Sequence, residues 1–187
     1  MTRGLVVFES MFGNTQVIAS SVADGLAPRM QVDLMEVGVA PTALDGDVDL
    51  LVVGGPTHAF GMSRPGTRQS AAQQSQRGLV SARIGLREWL GRLPGSSRPV
   101  AVATFDTRIA KPRLPGSAAA AAEKRLRRLG FWSVVPPKSF YVEGTTGPLV
   151  DGEPERARRW GAELGAALGA AEQRHRRAVR ADDDRPE

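Results

Sequence analysis

Residues 3–26 leave a chain few ways to fold. Leu5 to Phe8 are a continuous apolar run of branched and aromatic side chains, the pattern of a strand buried on both faces. Val17, Ile18, Val22 and Leu26 then recur at helical spacing, which predicts an amphipathic helix directly after the strand. The joint from Glu9 to Thr15 carries hydroxyls at Ser10 and Thr15, an amide at Asn14 and a glycine at Gly13. A strand that turns straight into a helix aims several free backbone N–H groups at one point. The positive end of the helix dipole faces the same point, so the joint suits a phosphate. No lysine lies in this turn and the chain has no Gly-x-x-x-x-Gly-Lys-Ser/Thr segment, which argues against a nucleoside triphosphate. An ordinary capped strand-to-helix turn is the alternative reading.

The two patterns keep alternating along the chain. Gln31 to Val37 is a weaker, alternating strand suited to a sheet edge, and Asp49 to Gly55 is a second buried strand. Ile84, Leu86, Trp89, Leu90 and Leu93 mark a helix ending at Pro94-Gly95, and Pro99 to Thr104 a fourth strand. Ser117 caps an alanine-rich helix that stops at Gly130, as a hydroxyl N-cap and a glycine C-terminus do. Trp132 to Val142 reads as a fifth strand, with a bulge or kink at Pro136-Pro137. A last helix begins near Pro154 and carries Trp160, Leu164 and Leu168. Strands alternating with helices predict a parallel sheet with right-handed crossovers. We expect one domain over residues 1–171, followed by a charged tail, 172–187, that frays from helix into disorder.

With 187 residues the chain is long enough to bury a proper core. It has no cysteine, which removes thiol catalysis, disulfides and cysteine–metal sites and is compatible with a cytoplasmic location. The two histidines, His58 and His175, have no metal-ligand spacing, so no metal site is expected. No apolar stretch approaches the ~18 residues of a membrane span, and the N-terminal apolar run is too short for a signal peptide.

Ser10-Met11-Phe12-Gly13-Asn14-Thr15 resembles the phosphate loop of the flavodoxins, which hold the FMN phosphate with a Ser/Thr-x-Thr-Gly-x-Thr turn. The sequence departs at Phe12, where the family usually has threonine, so one hydroxyl contact is missing. After the third strand, Gly54-Gly55-Pro56-Thr57-His58-Ala59-Phe60-Gly61 resembles the second flavin loop of the family. That resemblance implies that Pro56, Thr57, His58, Phe60 and Gly61 border the flavin. Thr57 would bond phosphate or ribityl, and His58 or Phe60 would stack on the ring; the alternative for His58 is a loop histidine that only satisfies backbone groups. After the fourth strand comes Thr104-Phe105-Asp106-Thr107. The family's third loop contacts the isoalloxazine there, often through a tyrosine. The only tyrosine of this chain is Tyr141, on the fifth strand, so Phe105 is either the substitute or core, and Asp106 or Thr107 would meet the ring edge. The resemblance implies a flavodoxin-like three-layer α/β/α sandwich of the short-chain form. Its five parallel strands run in the order 2-1-3-4-5, with FMN at the switch point. One monophosphate cradle and no Gly-x-Gly-x-x-Gly turn argue for FMN over FAD or a dinucleotide.

Residues 56–130 hold fourteen Lys/Arg against three Asp/Glu, a balance of +11, while the rest of the chain carries −6. Arg64, Arg68, Arg108, Lys111 and Arg113 fall in or beside the expected flavin loops. A basic rim attracts an acidic redox partner protein, NAD(P)H or an anionic substrate; arginine bias across the genome is the competing explanation. No recognition helix or aromatic platform points to nucleic acid. The polar stretch Ser63 to Leu79 is longer than a plain crossover needs and suits a lid or substrate wall. Three function classes follow: an FMN electron carrier, an FMN-dependent NAD(P)H:quinone or flavin reductase, and a flavin-free interaction domain on the same fold.

Overall fold

The structure, a computed structural model, describes residues 2–44, 46–96, 100–112 and 114–183, with side chains as far as residue 170. Six strands form one sheet: β1 (Arg3–Phe8), β2 (Gln31–Glu36), β3 (Leu50–Pro56), β4 (Ala101–Ile109), β5 (Trp132–Ser133) and β6 (Lys138–Val142). Every pairing is parallel and the order is β2-β1-β3-β4-β5, with β6 also paired to β4. The helices are α1 (Asn14–Leu26), α2 (Pro65–Gln74), α3 (Leu86–Arg92), α4 (Ala118–Arg128) and α5 (Glu153–Asp183). Residues 184–187, the end of the expected tail, lie outside the described residues, as does Arg113.

The strand order is the expected one, and two boundaries differ. The fifth strand position is shared by β5, against Ala101 and Val102, and β6, against Phe105 to Ile109. Pro136 and Pro137 lie in the gap, where two missing N–H donors break the ladder outright. β4 runs to Ile109, so Thr104 to Thr107 belong to a strand and not to a loop. Pairing with β3 up to Pro56↔Thr107 and with β6 up to Ile109↔Val142 extends it.

Alternation along the strands divides the core. Val6, Phe8, Val52, Ala103 and Phe105 face α1 and α5, with Ile18, Val22 and Trp160. Leu5, Val7, Val53 and Val102 face α3 and α4, with Trp89, Leu90 and Leu126. β2 has the partly exposed pattern of an edge strand.

Helices α1 and α5 meet backbone to backbone. A Cβ at Gly161 would lie 2.3 Å from the Val22 carbonyl oxygen, and one at Gly25 would lie 2.1 Å from that of Arg158. No side chain can yield there, so the helices must separate. Gly161→Ala is expected to lower stability by about 1–3 kcal/mol, the usual cost of overpacking. Gly169→Ala, with nothing within 4 Å of the added carbon, should leave stability unchanged or raise it by up to about 1 kcal/mol. Urea unfolding of the two variants checks the contrast.

Candidate functional site

The C-terminal ends of β1, β3 and β4 open on a cleft of about 230 Å³. Its floor is the turn between β1 and α1. Gly13 has φ +93° and leads directly into the helix, a left-handed then right-handed succession that makes successive N–H groups converge on one concavity. Ser10 is fully buried and its Oγ accepts from the Gly13 N–H at 3.1 Å and the Gln16 N–H at 3.3 Å. Among the described residues, the backbone N–H groups of Met11, Phe12, Asn14 and Thr15 have no partner in the protein. Thr15 Oγ1 lies 2.7 Å from Thr107 Oγ1, joining the helix start to β4. Asn14 Nδ2 donates to the Thr146 carbonyl at 3.0 Å, pinning the turn after β6 beside the cradle.

The segment after β3 supplies one wall. Pro56, Thr57, His58 and Ala59 line the cleft. The Thr57 hydroxyl is already engaged: it donates to Asp106 Oδ2 at 3.0 Å and accepts from the Ala118 N–H at 3.0 Å. It therefore anchors the start of α4 and is not the free phosphate or ribityl donor expected. His58 and Gly61 exchange two backbone hydrogen bonds, of 2.8 and 3.0 Å, around a two-residue turn. Ala59 and Phe60 both have positive φ, 42° and 74°, a left-handed pair that turns of this kind normally give to glycine or asparagine. Gly116 leaves room for it, since a Cβ there would meet the Phe60 carbonyl oxygen at 2.0 Å. Phe60 is 60% exposed at the rim, and neither it nor Gly61 lines the cleft. Burial, then the Arg68 charge, push the His58 imidazole below its ordinary value, so it is neutral at pH 7.

On β4 only Thr107 of the expected residues lines the cleft. Phe105 is fully buried, packed edge-on against Phe140 and Trp160 at centroid distances of 6.0 and 6.2 Å. Its ring lies across Gly54, where a Cβ would come within 2.0 Å. Phe105 is core, on the face of the sheet away from α4, and does not replace a loop tyrosine. Thr104 is buried too. Asp106 accepts on Oδ2 from Ser117 Oγ at 2.6 Å and the Ala119 N–H at 3.1 Å, so it caps α4 and does not reach a ring edge. The sequence reading missed Ala59, Ile109, Leu114, Val142 and Thr145 as lining residues. The run Gly144-Thr-Thr-Gly147, a hydroxyl-bearing turn at a strand end, was the available signal for Thr145.

A buried polar cluster fastens the cradle to the α2–α3 region. Glu9, fully buried, accepts from the Leu86 N–H at 2.7 Å and from the Ser63 hydroxyl. Arg68 donates to Ser63 Oγ at 2.9 Å and makes a two-pronged pair with Glu88, at 3.0 and 3.1 Å. Burial pushes the Glu9 carboxyl up from its usual range, against the Leu86 and Ser63 hydrogen bonds. The Arg68 charge is thus balanced by Glu88, whereas Arg108 lines the cleft.

The donor set fits one terminal phosphate held by neutral N–H groups. Beyond it, His58, Ala59, Ile109 and Leu114 also line the cleft. The volume is below the ~300–1,000 Å³ of sites that engulf a ligand. No helix among the described residues is long and apolar enough to cross a membrane.

No protein-family model matches the chain, and no curated protein matches its sequence. Solved structures do match its fold. It is similar to a flavodoxin from the Archaea, at TM-score 0.60 and 15% identity, covering 89% of this chain and 99% of that one. Flavodoxin 1 from Bacillus cereus aligns at TM-score 0.61 and 16% identity, covering 87% and 96%. A flavodoxin, WrbA-like protein from Agrobacterium tumefaciens aligns at 0.55 and 18%, covering 92% and 99%. The chain has the flavodoxin-like α/β fold.

Proposed function

We propose that this protein is an FMN-binding redox protein of the cytoplasm that passes electrons through the flavin to a partner. The observation that carries this reading is the phosphate turn: four unpartnered N–H groups, of Met11, Phe12, Asn14 and Thr15, converge beside Gly13 at the switch point between β1 and β3. Such a turn selects a monophosphate by geometry and helix dipole, with no lysine to favour higher charge. The flavin, once bound, supplies the electron-transfer chemistry; the protein orients it and sets its surroundings. Met11 to Thr15 would hold the phosphate, and Thr107, Thr145, His58, Ala59 and Leu114, which line the same cleft, would border the ribityl chain and the ring. Titration of ligand-free protein with FMN and with riboflavin tests this. Micromolar binding of FMN, much tighter than riboflavin, is expected, and no binding of either at that concentration favours the flavin-free interaction domain.

A second reading, an NAD(P)H-dependent quinone or flavin reductase, is favoured by Arg108. This cation lines the cleft, and positive charge beside a flavin makes its reduced, anionic form easier to reach. One unit charge about 10 Å from a redox centre is worth roughly 0.4–1.7 kcal/mol between dielectrics of 80 and 20. For one electron that is on the order of 20–70 mV. Arg108→Glu changes two units, so the flavin potential is expected to fall by on the order of 40–140 mV, less at high salt. A redox titration at two salt concentrations reads this. An unmoved potential would make the basic balance a matter of composition, and bleaching by NADPH at a useful rate would favour the reductase over the carrier.

A further inference from the structure

Phe12 and the polar segment after β3 meet at a second cleft, of about 500 Å³. Its walls include Phe12, Gln74, Gln76, Arg77 and the Leu79–Val80 pair. The only contact with the first cleft is across Phe12 and the Thr145–Thr146 turn, at the phosphate end; none of residues 56–61 or 107–114 lines it. The wall is fixed in place. The Val80 N–H donates to the Met11 carbonyl at 3.1 Å and the Ser81 N–H to that of Ser10 at 2.8 Å. The Ser10 N–H donates in turn to Ser81 Oγ at 2.9 Å.

The lining chemistry is specific. The Arg77 guanidinium has no carboxylate partner among the described residues, and no acidic side chain lines the cleft. Arg77 is an available cation for a phosphate. Phe12 offers a flat apolar face on which a heteroaromatic base stacks. Gln74 and Gln76, both exposed, present paired donors and acceptors, the groups that read the edge of an adenine. We propose that this cleft binds the adenosine 5′-phosphate half of a dinucleotide, with the base on Phe12 and the phosphate on Arg77.

The inference rests on the reading of the first cleft as a flavin-phosphate site in one respect. Phe12 lines both clefts and lies within the Met11 to Thr15 turn, so a ligand anchored there has the second cleft beside its phosphate. Two sources share the chemistry: NAD(P)H bound beside FMN, and FAD, whose adenylate is joined to the flavin phosphate and whose tighter binding would replace FMN as the cofactor of the first cleft. Phe12 in place of a hydroxyl then exchanges one phosphate contact for a stacking surface.

The test titrates ligand-free protein with AMP, FMN and FAD, and FMN-loaded protein with NADPH, for wild type, Arg77→Ser and the double variant Gln74→Ala with Gln76→Ala. All three positions are exposed, so folding is not at issue, and circular dichroism confirms it. AMP is expected to bind and to weaken about tenfold in Arg77→Ser, the loss of one charge-assisted hydrogen bond, with FMN affinity unchanged. If FAD is the source, it binds about tenfold more tightly than FMN and loses that margin in Arg77→Ser. If NAD(P)H is the source, FAD has no margin and the NADPH dissociation constant rises about tenfold in Arg77→Ser. The proposal is overturned if AMP does not bind at millimolar concentration, or binds equally well to Arg77→Ser, the sign that it sits in the phosphate turn instead. FMN binding with no AMP binding refutes the second cleft alone, and Arg77-dependent AMP binding with no FMN binding refutes the flavin reading alone.

Discussion

Replacing Glu9 by alanine is expected to cost about 2–5 kcal/mol of stability, measured by urea unfolding at pH 7. The carboxylate is the common acceptor for the Leu86 N–H and the Ser63 hydroxyl, and both residues are fully buried. A Cβ at Gly85 would fall within 2.3 Å of Arg68 Nη1, 2.6 Å of Ser63 Oγ and 2.8 Å of Glu9 Oε1, so Gly85→Ala breaks the same cluster by crowding. Each donor stranded without a partner costs about 1–3 kcal/mol. Glu9→Gln separates charge from hydrogen bonding, because the amide keeps an acceptor for Leu86. The folded-state pKa of Glu9 is raised by burial, so between the unfolded and folded values the native protein holds the extra proton. The stability this contributes is complete below the unfolded value, about 4.3, and is lost as pH rises through the folded one. The substituted amide cannot ionise, so Glu9→Gln should match wild type at pH 4 and gain on it toward pH 7. A wild type that instead loses ground to this variant as pH falls would mean that Glu9 is a stabilising anion.

Glu9 also shows where the sequence was readable and where it was not. The β1–α1 unit was legible because its signals are local: an apolar run, a glycine and a helical period within 24 residues. Alternation of strands and helices gave the parallel sheet, and the resemblance of the β1–α1 turn and the loop after β3 to those of the flavodoxins gave its strand order. The end of β4 was not legible. Asp106 looks like a loop residue until the start of α4, eleven to thirteen residues later, is seen to satisfy it. Phe105 was left open between core and a substitute for the family's third-loop tyrosine, because its position after a run of strand residues fits both. The deciding fact is non-local: it sits in register with Gly54, and only a glycine there lets the ring lie over β3. Pro56, Thr57 and His58 line the cleft, yet the Thr57 hydroxyl turns to Asp106 and not to the cleft. Leu114 and Thr145 reach the cleft from loops whose path is set by Arg108 and Asn14 holding the Leu114 and Thr146 carbonyls, contacts that no period or motif records.

Asn14→Asp is expected to weaken FMN about 10- to 1,000-fold while leaving riboflavin binding within about twofold. Asn14 is the first residue of α1, and its side chain points along the phosphate turn toward Thr146. A carboxylate there meets two negative groups, the Thr146 carbonyl and the incoming phosphate. Each pair of unit charges near contact costs about 1 kcal/mol in a water-like medium and about 4 kcal/mol at an effective dielectric of 20, and every 1.4 kcal/mol is about tenfold in affinity. The effect on folding runs the other way. A negative charge in the first helical turn gains about 0.3–1 kcal/mol from the dipole, against about 0.5–1.5 kcal/mol lost with the Asn14–Thr146 hydrogen bond, so stability stays near that of wild type. Loss of FMN binding without loss of stability cannot come from unfolding. Retention of riboflavin binding places the defect at the phosphate rather than the ring. Paired titrations of the two flavins, with thermal melts of the ligand-free variant, read all three quantities. Equal weakening of FMN and riboflavin would move the phosphate away from this turn and with it the basis for a flavin at the β1–β3 switch point.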